Sequence, residues 1–127
     1  MAQFIILVTS PYFDSNAAYT ASKFANAALD AEHQVSLFFY GAGVSHANKF
    51  NLPQAGEPNA MALWEALSKR KVELLVCATA AGRRALIDDQ EAAKLDMPSG
   101  SINPIFSLSG LTELAALTAT ANRVIQF

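Results

Sequence analysis

The chain has 127 residues, 52% hydrophobic and 16% charged, with a formal net charge of −2. That length buries the core of one domain, residues 1–127, and the charge provides no positive field to gather nucleic acid or a membrane surface. A single cysteine excludes an intramolecular disulfide and any C-x-x-C motif, which agrees with a reducing compartment, and the sparse charge points to an oligomer that hides apolar surface.

In chain order, Phe4-Ile5-Ile6-Leu7-Val8 is a continuous apolar run of the kind found in strands covered on both faces. No basic segment precedes it and it is too short to span a bilayer, so it reads as a first strand in a cytoplasmic protein. Thr9-Ser10-Pro11 ends the run, and Asp14 or Ser15 then caps a helix reaching about Glu32, with Ala18, Ala21, Ala25, Ala28 and Leu29 at helical spacing. Gln34 to Tyr40 is the next strand, closed by Gly41-Ala42-Gly43. A strand, a helix and a strand on short turns make a βαβ unit, whose crossover is right-handed, and the fold class is therefore α/β.

Val44 to Asn48 fits a turn of helix, and Lys49 to Pro58, with two prolines and a glycine, reads as a loop. Asn59 caps a helix from Ala60 to about Arg70, with Met61, Trp64 and Leu67 on one face. After a strand ending at Cys77, Asp88 and Glu91 stand at capping-box spacing before a short helix to about Leu95. Pro104 to Leu108 is a candidate strand, and Ser109 caps a last helix from Gly110 to about Ala121 that puts Leu111, Leu114, Ala115 and Thr118 on one face. Asn122 to Phe127 closes the chain as a strand.

The chemistry concentrates at Val72-Glu73-Leu74-Leu75-Val76-Cys77, a strand that hands over to a helix carrying Arg83 and Arg84. In parallel sheets, ligands and reacting groups collect at the carboxyl ends of strands, beside helix N-termini. The thiolate is the nucleophilic form of cysteine, and helix dipoles or nearby cations favour it. Cys77 therefore reads as a nucleophile, with Arg83 and Arg84 as supporting candidates. The plainer readings are a small core hydrophobe for the cysteine and a solvated pair for the arginines.

Other chemistries are absent from the sequence. Thr9-Ser10-Pro11-Tyr12 lacks the glycines of a dinucleotide or Walker A loop, Gly41 and Gly43 make only a lone G-x-G, and G-x-S-x-G does not occur. His33 and His46 have no metal-ligand spacing with Cys77, so neither a metal nor a cofactor is expected. His33 is placed at a helix end, interacting with the last carbonyls, and His46 in a solvated loop near the end of the second strand.

Five segments together resemble the DsrE/TusD family of sulfur-relay proteins, most closely its TusD branch of sulfurtransferase subunits. They are Phe4-Ile5-Ile6-Leu7-Val8-Thr9; Phe38-Phe39-Tyr40 with Gly43-Val44 and Ala47-Asn48; Cys77 with Arg83-Arg84; Ser107-Leu108-Ser109-Gly110-Leu111; and Arg123-Val124-Ile125-Gln126-Phe127. The resemblance spans the chain and implies a mainly parallel five-stranded sheet with helices on both faces. It also implies a persulfide on Cys77, received from one small sulfur-carrier protein and passed to another. In the TusD branch that relay feeds 2-thiolation of wobble uridine in transfer RNA, without direct nucleic-acid contact, and TusB-like and TusC-like paralogues complete a heterohexamer. The alternatives are a DsrE-type carrier in sulfur oxidation, a homo-oligomer, and a non-catalytic assembly subunit of the same fold with Cys77 inert.

Overall fold

The apolar run near the amino terminus lies inside the sheet, as a strand covered on both faces must. In the computed structural model, which describes residues 1–127, β1 (Gln3–Val8) pairs with β2 (Gln34–Phe39) on one side and with β5 (Arg123–Gln126) on the other. β3 (Glu73–Cys77) and β4 (Ser107–Ser109) extend the sheet beyond β2, giving the order β4-β3-β2-β1-β5 with every pairing parallel.

Between the strands run α1 (Ala17–Asp30), α2 (Ala60–Lys69), α3 (Ala78–Gly82), α4 (Asp89–Lys94) and α5 (Leu111–Thr120). Each step from β1 to β4 moves the same way across the sheet, and the step from β4 to β5 returns across it. Right-handed crossovers then put α1 to α4 on one face and α5 on the other.

Register sorts the side chains accordingly. Ile6, Leu37 and Leu74 align across three strands, as do Val8, Phe39 and Val76, and all are buried beneath the α1–α2 pair. Trp64 of α2 meets Phe39 edge to face at 5.1 Å between ring centroids. Phe38 and Leu75 are partners on the opposite face, the one that α5 crosses, and Cys77 follows two residues on. The small side chains of Ala18, Ala21, Ala25 and Ala28 are buried and let α1 lie close to the sheet. By contrast, α5 has no fully buried residue, and no helix is long and apolar enough to cross a membrane.

The element ends differ from expectation where a turn overrides local propensity. α1 starts after Asn16, because Asp14 sits in the left-handed region at φ 66° and Ser15 Oγ accepts the Ala17 N–H at 3.0 Å. It ends at Asp30, and the left-handed Glu32, φ 64°, turns the chain toward β2. The fourth strand is Ser107–Ser109 rather than Pro104 to Leu108, since Phe106 N–H closes a turn on Asn103 C=O at 3.0 Å. Ser109 is still in the ladder, so the cap of α5 falls to Gly110. Asn59 and Asp88 do cap α2 and α4, accepting from Ala62 N–H at 3.3 Å and Glu91 N–H at 2.9 Å.

A 3₁₀ segment, Gly41–Ala47, leaves β2 and folds over the end of β1. It depends on Gly43, where a Cβ would overlap the Val8 carbonyl oxygen. The atoms it would meet, in Val8 and Thr9, are all backbone and cannot swing away. Gly43→Ala is therefore expected to lower unfolding free energy by roughly 2–3 kcal/mol in a urea titration.

Candidate functional site

Cys77 is the last residue of β3, and its register partner Ser109 is the last residue of β4. The chain leaves β3 toward the α1–α4 face and leaves β4 toward α5, so the two strand ends part in opposite directions. That split is a topological switch point, the place where open parallel sheets form a crevice at their carboxyl edge. The strand order, not a local motif, makes the cavity.

The cavity there has a volume of about 240 Å³ and is lined by Tyr40, Gly41, Cys77, Thr79, Ala80, Arg83, Arg84 and Leu111. It is smaller than the roughly 300 Å³ at which small-molecule sites begin. Cys77 is only 1% exposed, so the thiol is reached through this cavity and not from a free surface.

The structure brings all three sequence-derived site residues together. Arg84 turns back along α3 and its Nη1 donates to the Ala80 carbonyl at 3.1 Å, while Arg83 is exposed at the rim. α3 itself is a single turn, shorter than the helix expected to carry the arginines, so they stand beyond its end. The positive charge at the site is therefore mainly that of two guanidiniums, with one turn of backbone dipole added. Tyr40, Leu111 and Ser109 escaped sequence reasoning, because only the strand order puts them beside Cys77. A larger cavity of about 420 Å³ lies around Tyr12, Tyr19 and Glu57, but it contains no nucleophilic sulfur.

His46 departs most from the sequence reading. It is fully buried in the 3₁₀ segment and packs on Tyr12, Phe39 and Trp64, on the face of the sheet opposite Cys77. Trp64 Nε1–H donates to its Nδ1 at 3.2 Å, and its Nε2 faces the Ser10 carbonyl at 3.0 Å. An indole nitrogen only donates, so Nδ1 is the acceptor and the proton sits on Nε2. Burial pushes the imidazole down to about 4, against the opposing pull of the Ser10 carbonyl. His46 is a neutral core group. His33 meets the last turn of α1 through its backbone, its N–H donating to the Ala28 carbonyl at 2.9 Å, while its side chain turns away and Nδ1 accepts the Ala2 N–H at 2.9 Å.

A sequence profile described as the DsrE/DsrF-like family matches residues 2–127. The chain belongs to that family. Among relatives of this DsrE/DsrF-like protein, "Sulfurtransferase TusD" of Salmonella typhi is 39% identical, the alignment covering 98% of this chain and 99% of the relative. The protein of the same name from Salmonella arizonae is 40% identical over the same shares. Among solved structures, the ychN protein of E. coli superposes with a TM-score of 0.77 at 21% identity, covering 100% of both chains. That likeness establishes the shared DsrE-like fold.

Proposed function

We propose that this protein is the sulfurtransferase subunit of a sulfur relay, accepting sulfane sulfur as a persulfide on Cys77 and passing it to a downstream carrier. The observation that carries the reading is the placement of the only cysteine in a small cavity at the switch point of the sheet, between two arginines and the start of α5. The names of the full-length relatives support the same chemistry.

In the accepting step, Cys77 Sγ attacks the outer sulfur of a donor persulfide. A new S–S bond forms as the donor's S–S bond breaks, and the electron pair leaves on the donor's inner sulfur, which takes up the proton that Cys77 has lost. No net oxidation occurs. Since the chain has no second cysteine, nothing within it resolves the persulfide before an acceptor thiol arrives. Arg83 and Arg84 line the cavity in which the persulfide anion develops, and opposite charge there favours it.

The donor and acceptor are small sulfur-carrier proteins, and the destination is 2-thiolation of wobble uridine in the cytoplasm. TusB-like and TusC-like paralogues are the assembly partners. Half-exposed Leu111 and Val124 on α5 and β5, at 51% and 47%, are apolar surface that such an assembly would cover.

The test is intact-protein mass after incubation with a cysteine desulfurase, cysteine and a sulfur-carrier protein. A gain of one sulfur atom, reversed by a reductant, is the expected result. The burial of the thiol favours a second reading, an assembly subunit with inert Cys77. That reading takes over if a competent carrier delivers no sulfur and Cys77 reacts with thiol reagents only after unfolding.

A further inference from the structure

We propose that Ser109 is a switchable hydrogen-bond donor to the Cys77 sulfur, and that Glu113 sets which way its hydroxyl points. The inference rests on the persulfide reading of Cys77. Cys77 and Ser109 are register partners at the end of the β3–β4 ladder, where neighbouring strands lie about 4.8 Å apart. Their side chains share the α5 face and are both buried, at 1% and 6% exposure.

The Ser109 hydroxyl donates to Glu113 Oε2 in the first turn of α5. A hydroxyl has one proton and two lone pairs. While that proton is held by Glu113, the hydroxyl makes no hydrogen bond to the Cys77 sulfur and offers a thiolate or persulfide anion no donor. If Glu113 releases the proton, rotation of the Ser109 side chain turns the hydroxyl toward its register partner, as a donor to the anion. Hydrogen bonds to the charged form favour it. Glu113 is exposed, two residues from Leu111 at the cavity wall. A cationic side chain on a docking carrier would draw the exposed carboxylate away, coupling partner arrival to activation of the sulfur.

The other charged or titratable groups facing Cys77 are Tyr40 from the end of β2 and Arg83 and Arg84 from beyond α3. None of them is altered in the test. The thiolate of the single cysteine is followed by its ultraviolet absorbance against pH, with Cys77→Ala blanks. The proteins compared are wild type, Glu113→Ala, Ser109→Ala and the double variant, each verified as folded by circular dichroism.

Glu113→Ala is expected to raise the thiolate-to-thiol ratio at a given pH roughly three- to tenfold, a midpoint lower by about half to one unit. In the Ser109→Ala background the same substitution is expected to have little effect. An unchanged midpoint in Glu113→Ala overturns the proposal. So does an equal shift with Ser109 absent, which would assign the effect to the Glu113 charge acting through space. The titration needs no sulfur donor, so its outcome stands apart from the mass experiment on which the persulfide reading depends.

Discussion

Cys77→Ala should accept no sulfur at all: after exposure to a persulfide donor its mass should be unchanged, while the wild-type chain gains one sulfur atom. The single cysteine makes the readout unambiguous, because no other thiol in the chain can take the label. Replacing a buried –SH by a hydrogen removes little volume, so the variant should fold with a loss of about 1 kcal/mol. Cys77→Ser should be equally silent in loading but less stable than the alanine variant. Its hydroxyl would enter a 1% exposed position, and an unpaired buried hydroxyl costs roughly 1–3 kcal/mol. Intact mass measures the first effect and a urea titration the second. Sulfur retained by either variant after removal of donor would move the acceptor away from Cys77.

How far the sequence discloses this site depends on the range of the interactions that build it. Val72 to Cys77 is a short apolar run ending at small residues, and this local pattern is enough to place the cysteine at a strand's carboxyl end. Arg83 and Arg84 follow so closely that any turn at Ala78–Gly82 returns them to the same edge. Ser109 is different. It lies 32 residues from Cys77, and its place beside Cys77 depends on β4 pairing beside β3 and on a register of one residue, since a slip would turn its side chain to the other face. The strand there is only three residues long, too short for alternation to announce it.

His46 illustrates the same limit. A histidine five residues beyond Gly41 reads as solvated loop, yet the 3₁₀ segment carries it under a roof of aromatic rings supplied by the loop after β1 and by α2. Helix caps divide along similar lines. Asn59 and Asp88 are legible because a cap bonds only three residues ahead. Ser109 fails as a cap because the ladder with β3 already fixes its backbone. Local chemistry predicts an element until a tertiary partner holds the same residue.

Acid should unfold this protein through His46. Its folded value, pushed by burial to about 4, lies below the ordinary 6.5 of an exposed imidazole, so the unfolded chain binds the proton more tightly. Above pH 6.5 the histidine is neutral in both states and costs nothing. As pH falls from 6.5 toward 4 the unfolded state gains protons that the folded state refuses, and stability declines. A difference of that size corresponds to about 3 kcal/mol lost by pH 4. The structural cause is specific: a second proton on the ring would set an N–H against the Trp64 N–H at 3.2 Å.

His46→Gln separates this term from the rest of the acid response. An amide can accept from Trp64 and donate to Ser10 without titrating. The variant should be less stable than wild type at pH 7 because it fills the ring's place poorly, but its stability should fall by about 3 kcal/mol less between pH 7 and pH 4. Urea titrations at a series of pH values give both slopes, and parallel slopes would refute the assignment. The consequence reaches the other face of the sheet, because His46 anchors the segment whose first residue, Gly41, lines the Cys77 cavity. Protonating a core group on one face of the sheet is thus expected to loosen the wall of the Cys77 cavity on the other.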